Sequence, residues 1–130
     1  MGQPAAKLDD KILATDIHII MVPSPGGPVP TPIPHPFTGV INGNLSPNVT
    51  IMGKAAATVG STAVNTPAHI PSGGSFQMPP TNQGTITKGS STVFINGKPV
   101  ARNGDNAQSC QDPTPNLNAK VVAVGNVFIG

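Results

Sequence analysis

The chain has 130 residues and a formal net charge of +2, and 37% of its residues are apolar, with neither Trp nor Tyr present. That length predicts one domain, and the scarcity of aromatic residues predicts a small core. A single arginine and the absence of a basic run exclude a nucleic-acid platform, and no apolar stretch is long enough to span a membrane. One lone cysteine excludes an intramolecular disulfide.

A repeated unit organises the chain, and residues 92–105 are its clearest copy: a short β-type run, a turn at Asn96-Gly97 and a second short run. Residues 48–61 match this copy without a gap. A third copy is split between residues 2–10 and 126–130. The glycines taken as equivalent are Gly2, Gly53, Gly97 and Gly130. We therefore predict that the last strand pairs beside the first and that three units close a ring.

The remaining segments predict short strands and loops. Residues 11–15 are compatible with a helical turn, and the β-branched run 17–22 predicts a strand. Residues 23–37 hold seven prolines, which predicts an extended, polyproline-like segment on the surface because proline disrupts helices and central strands. We favour a stiff connector there, and a recognition motif for an aromatic groove is the alternative. Further hairpins, strands and loops are predicted at 38–45, 62–80, 84–87, 112–115, 120–124 and 126–129.

Each repeat is followed by one side chain that can bind a metal. His18 and His69 each lie eight residues after the end of a repeat, and Cys110 lies five residues after it. A threefold arrangement would bring these loops together at one end of the axis, with His35 added from the proline-rich segment. Three imidazoles and a thiolate suit tetrahedral zinc, with iron as second choice, and four protein ligands make the site structural. The predicted ligands are His18, His35, His69 and Cys110.

Catalysis is not predicted. The sequence contains no Glu, and Asp16 and Asp112 are the only acidic residues near the predicted ligands. A zinc hydrolase needs an open coordination position and a general base. A nucleophilic pair of Cys110 with a histidine would need an oxyanion hole, and no motif supplies one. We therefore expect a protein that is not an enzyme.

The repeat resembles the PAAR-repeat family, which is named after the tetrapeptide Pro-Ala-Ala-Arg. The flanking residues 93–98 and Gly104-Asp105 are also typical of that family. The first two copies of the tetrapeptide lack the arginine, so the resemblance rests on the spacing of the repeats. It covers nearly the whole chain, with residues 23–37 as an insertion. The three copies are Pro4-Ala5-Ala6-Lys7, Lys54-Ala55-Ala56-Ala57 and Pro99-Val100-Ala101-Arg102.

The resemblance implies an all-β cone of β-hairpins with pseudo-threefold symmetry, built as one domain over residues 1–130. It implies a metal at the apex and a broad base that docks on a trimeric VgrG-like or phage-type spike, one tip per trimer. Effectors are further partners on this interpretation. The protein would sharpen the spike of a contractile injection system, phage-tail-like or of the type VI secretion kind, and help it pierce a target membrane, with transient membrane contact. We expect the base at residues 49–52, 93–95 and 127–129.

A second class of function stays open, in which the chain is a small β-repeat module that binds carbohydrate or protein and its His and Cys loops are incidental. A spike tip should co-purify with a trimer at one chain per three, whereas a lectin should bind sugar. No signal peptide is recognised. We expect synthesis in the cytoplasm, assembly at the particle tip and delivery outside the cell or into the target cell, with no fused toxin domain.

Overall fold

The computed structural model describes residues 2–130, which form antiparallel strands and their connections without any helix. The all-β prediction is confirmed, while pseudo-threefold symmetry of the whole domain stays a prediction. No helix that could cross a bilayer occurs in the described residues. The strands are β1 (Gln3–Pro4), β2 (Lys11–Val22), β3 (Val29–Gly43), β4 (Thr50–Ile51), β5 (Lys54–Ala55), β6 (Thr62–Asn65), β7 (Ser75–Phe76), β8 (Gln83–Ile86), β9 (Phe94–Ile95), β10 (Lys98–Pro99), β11 (Asn106–Ser109), β12 (Asn116–Val122) and β13 (Phe128–Ile129).

Six strands of the main sheet close on themselves. Their order is β12-β11-β8-β6-β3-β2, and β12 also pairs with β2, while β7 extends the far end of β2. The larger core cluster is shared among these strands and the repeat segments, and seven of its twelve buried members are alanines. Methyl groups let the strands approach closely. Phe37 is the one large aromatic side chain buried in this cluster.

Three two-stranded hairpins carry the repeat units: β4 with β5, β9 with β10, and β1 with β13. Gln3 pairs with Ile129 and Pro4 with Phe128, so the prediction that the last strand pairs beside the first is confirmed. Ile51 and Ile95 pair with Lys54 and Lys98 in the same way. The three isoleucines belong to, or pack against, a second small cluster.

The three units are joined by a closed cycle of backbone hydrogen bonds. Ala6 N–H donates to the Ala101 carbonyl at 2.9 Å, Ala101 N–H to Ala57 at 3.0 Å, and Ala57 N–H to Ala6 at 3.0 Å. All three alanines are fully buried. Where three backbones meet at one centre there is room for little beyond a methyl group, which explains the small residues at these positions.

The alignment of the third unit was wrong by one residue. Because Ile129 pairs as Ile51 and Ile95 do, Gly130 takes the place of Met52 and Asn96 and is not the equivalent of Gly53. Met52 and Asn96 have positive φ angles of 52° and 54°. A two-residue hairpin turn of this type needs positive φ at both central residues, and the glycine is the second of these two residues. Aligning by glycine therefore shifted the register of the split copy.

From Val29 onward the proline-rich segment is a paired strand, whereas the sequence predicted an extended, polyproline-like stiff connector. β3 pairs with β2 in register from Val29 to Val40. Ile17 and Ile19 lie opposite Pro34 and Pro32, and they direct their polar backbone groups away from β3: Ile17 N–H donates to Gln111 at 3.0 Å and the Ile19 carbonyl accepts from Gln77 at 2.9 Å. The prolines therefore occupy non-hydrogen-bonded positions, where a missing N–H costs no bond with β2.

Candidate metal centre

The candidate site lies on the buried face shared by β2 and β3. Side chains alternate along both strands, so Asp16 and His18 point to the same face, as do His35 and Phe37. Asp16 lies directly opposite His35 in the pairing register. The exposed fractions are 0% for Asp16 and His18 and 6% for His35. Because side chains alternate along β2, Asp16 and His18, which can both bind a metal, lie on the same buried face.

The three histidines meet although they come from distant parts of the chain. The ring centroid of His18 lies 4.8 Å from that of His69 and 5.5 Å from that of His35, and His35 and His69 are 5.4 Å apart. His69 follows β6, and its backbone N–H donates to Asn82 Oδ1 at 2.9 Å, which anchors the loop. The predicted convergence of the three imidazoles is present in the structure.

Cys110 joins the cluster from the residue directly after β11. Its Sγ lies 3.8 Å from His18 Nε2 and 3.5 Å from Asp16 Oδ2. Burial raises the pKa of the Cys110 thiol to about 11, and the nearby Asp16 carboxylate adds to that rise. The thiol is therefore protonated at neutral pH, and a bound cation would have to displace that proton.

Asp16 is the residue that the sequence analysis did not include among the ligands. Ligand atoms of Asp16, His18, His69 and Cys110 all lie within 4.8 Å of one another. The Asp16 carboxylate also accepts a hydrogen bond from Ser109 Oγ and lies 3.4 Å from His69 Nε2. Its position two residues before His18 in a β-type run was the available signal, because alternate residues share one face.

Two histidines are oriented by partners at Nδ1. His18 Nδ1 lies 3.0 Å from Asp112 Oδ2, and His35 Nδ1 lies 2.9 Å from the Ile33 carbonyl, to which it can only donate. Donation from Nδ1 leaves Nε2 with its lone pair, the tautomer that a metal requires. His35 Nε2 is buried and has no hydrogen-bond partner among the residues that the structure describes.

That orphaned nitrogen supports a metal as the missing partner. A buried polar atom left unpaired costs roughly 1–3 kcal/mol, and a cation held among the three rings would remove this cost. Burial lowers the pKa of His69 below 6.5, against the opposing effect of its hydrogen bond to Asp16. A neutral imidazole is the form that binds metals. The donors present thus fit a zinc or iron ion.

Two cavities border the cluster. One, of about 220 Å³, is lined by His35 and His69. The other, of about 350 Å³, is lined by Cys110 and Asp112. The side chains themselves are largely withdrawn from water, which suits a closed structural site better than an open catalytic one.

Fold and cluster together define a small all-β repeat domain with a buried, metal-competent group of side chains. Residues 76–130 match the family model described as PAAR motif. This part of the chain is similar to the PAAR motif family, and the resemblance recognised from the sequence is confirmed. A comparison with curated proteins gives no match. The matched residues include Cys110 but none of the histidines. The group whose ligand atoms all lie within 4.8 Å of one another contains Asp16, His18, His69 and Cys110, and His35 is not part of it.

Proposed function

We propose that this protein caps and sharpens the trimeric central spike of a contractile injection system and helps it pierce a target membrane. The PAAR motif is associated with the spike tips of such systems and with structural, non-catalytic proteins. The observation that carries the proposal is the closed cycle of hydrogen bonds among Ala6, Ala57 and Ala101. It joins the three repeat units at one centre, which supports the threefold arrangement that such a partner would need.

The hairpins offer apolar side chains to such a partner. Phe94 and Phe128 occupy equivalent positions, opposite Pro99 and Pro4, and they are 55% and 59% exposed. Met52, at the turn of the second hairpin, is 52% exposed. Large apolar side chains grouped at one end of a small domain are typical of a protein interface. We propose this end as the base that meets a VgrG-like spike, one tip per trimer.

The proposed cofactor is one structural metal ion, zinc first and iron second. We propose His18, His35, His69 and Cys110 as its ligands, with the Asp16 carboxylate beside them. When bound, the metal supplies folding free energy, because the unfolded chain has no preformed site. The chain's own contribution is to hold the His18 and His35 imidazoles in the tautomer that leaves Nε2 free, and to keep water out. The metal would thus stabilise a domain whose hydrophobic core is small.

The route to the particle is part of the same proposal. The protein would be made in the cytoplasm, assembled at the spike tip and carried by the particle out of the cell or into the target cell. Effectors that travel with the spike are further proposed partners. None of these steps requires catalysis by this chain.

Mixing the purified protein with a trimeric VgrG-like spike from the same genome tests the proposal. Native mass spectrometry should show one chain per three spike chains, and the double variant Phe94→Ser/Phe128→Ser should lose the complex. Leu117→Ser is the matched control, since Leu117 is 62% exposed but lies outside the hairpins. A three-to-three complex, or no complex together with sugar binding, would favour the alternative binding module.

A further inference from the structure

Asp16 is a fully buried carboxylate that lacks a permanently charged partner. Asp9, Asp10 and Asp105 each form an ion pair with a lysine or with the arginine. Among residues 2–130, the only ionisable nitrogen within ion-pair distance of Asp16 is Nε2 of His69. Buried charges in proteins are normally paired or bound to a metal. The Asp16 carboxylate therefore needs a cation that no lysine or arginine of the described chain supplies.

The two oxygens of the Asp16 carboxylate have different surroundings. Oδ1 accepts a hydrogen bond from Ser109 Oγ, which fixes the orientation of the carboxylate. Oδ2 lies 3.4 Å from His69 Nε2 and 3.5 Å from Cys110 Sγ. Donor atoms that share one tetrahedral zinc ion, each at about 2.0–2.3 Å from it, are roughly 3.3–3.6 Å apart. Oδ2 therefore has the spacing of a ligand atom, while Oδ1 is held by the neighbouring strand.

The charge of the buried cluster matches a divalent ion better than a monovalent one. Imidazoles are neutral ligands, and Cys110 binds a metal as a thiolate with one negative charge. Asp16 adds a second negative charge, so a divalent ion gives a neutral site and a monovalent ion leaves a net charge of −1. Net charge is costly in a site withdrawn from water. Asp112, behind His18, is 12% exposed, so water screens its charge.

We propose that Asp16 is a further ligand of the bound metal, beside the three histidines and Cys110, and that its charge selects a divalent over a monovalent ion. The presence of a metal rests on the proposed function, whereas the additional ligand and its effect on selectivity go beyond it. Thiolate ligands also attract copper(I), so a site made only of Cys and His would accept that monovalent ion. Asp16 discriminates against copper(I) by charge, because the ion cannot balance both anions.

Affinities for two ions test the inference. Metal-free wild type, Asp16→Asn and Ser109→Ala are titrated with zinc and, under nitrogen, with copper(I), each in competition with a chromophoric chelator. Asp16→Asn keeps the size of the side chain and removes its charge, so we expect the ratio of zinc to copper(I) affinity to fall about 100-fold or more. Ser109→Ala is the matched control, since it removes the hydrogen bond to Asp16 and leaves the charge. It should leave that ratio unchanged.

Thermal unfolding of the metal-free proteins separates metal binding from folding. Asp16→Asn removes an uncompensated buried charge and should not lower Tm when no metal is present. A lower metal-free Tm, or an equal loss of zinc and copper(I) affinity, would mean that Asp16 only supports the fold and would overturn the inference. Unchanged zinc affinity in Asp16→Asn would refute the additional ligand alone. Wild-type protein that binds neither ion would refute the proposed metal centre as well, while native mass spectrometry of the spike complex tests the capping role independently.

Discussion

The Nδ1 atom of His18 lies 3.0 Å from Oδ2 of Asp112, a residue 94 positions later in the chain. This contact fixes the tautomer of a fully buried imidazole whose Nε2 faces Cys110 at 3.8 Å. A carboxylate behind a histidine is a recurrent way to orient a metal ligand and to raise its basicity. The contact links β2 to the loop after β11 and makes the candidate metal centre a property of the folded chain.

Replacing that carboxylate should weaken metal binding without removing a ligand. We expect Asp112→Asn to lower zinc affinity by about 10- to 100-fold, because the amide orients His18 less strongly and does not raise its basicity. Competition with a chromophoric chelator measures the change. Asp9→Asn is the control, since Asp9 is exposed and bonded to Lys54 at the surface. Equal affinities for the two variants would contradict the role of Asp112.

Replacing His35 with Phe should affect Tm differently in metal-free and in zinc-loaded protein. In metal-free protein, His35→Phe removes the unpaired buried Nε2 and is expected to leave Tm unchanged or to raise it by a few degrees. In zinc-loaded protein the same variant loses a ligand and should lower Tm. Thermal unfolding with chelator and with zinc gives both values. A variant that destabilises both forms equally would show that His35 only packs.

The cycle of alanines should not tolerate larger side chains. We expect Ala57→Val to cost about 1–3 kcal/mol of unfolding free energy, because extra methyl groups at a filled centre force neighbouring backbones apart. Urea unfolding measures the loss. Ala68→Val supplies the control, since Ala68 is exposed on a loop. A loss no greater than that of the control would mean that the three units do not meet as closely as the hydrogen bonds indicate.

Equivalent polar pairs in the repeats should differ in the cost of disruption. Lys7 and Asp10 form a buried ion pair at 3.0 Å, and the second unit has a neutral bond from Thr58 N–H to Ser61 Oγ at 3.0 Å in its place. Asp10→Ala strands a buried ammonium and should cost roughly 3–5 kcal/mol. Ser61→Ala should cost about 1–3 kcal/mol, since the buried Ser61 Oγ also donates to the Asn44 carbonyl at 2.9 Å.

Adding Lys7→Met to Asp10→Ala should recover part of the lost stability, because the stranded charge is then gone. Urea unfolding of all four proteins, wild type included, makes the comparison. If the double variant is as unstable as Asp10→Ala alone, the unpaired charge is not the cause of the loss.

The repeat could be found from the sequence because it depends on spacing, and the same spacing predicted His18, His69 and Cys110 as ligands, which the structure brings together. Alternation along the strand places Asp16 on the same face as His18, but the contacts of Asp16 could not be predicted, since they involve Ser109 and Cys110, which come from another strand and the residue after it. The pairing of β3 was missed because proline is usually excluded from sheets. Only the register shows that every proline falls at a non-hydrogen-bonded position, and register is a tertiary property.

The central claim is that His18, His35, His69 and Cys110 hold one metal ion in a single folded site. Elemental mass spectrometry of purified wild type, His69→Ala and Cys110→Ala, combined with thermal unfolding, tests it most directly. We predict about one zinc or iron per wild-type chain, with metal and thermal stability reduced together in both variants. Wild-type protein that is folded, free of metal and unchanged in stability by added zinc would contradict the claim.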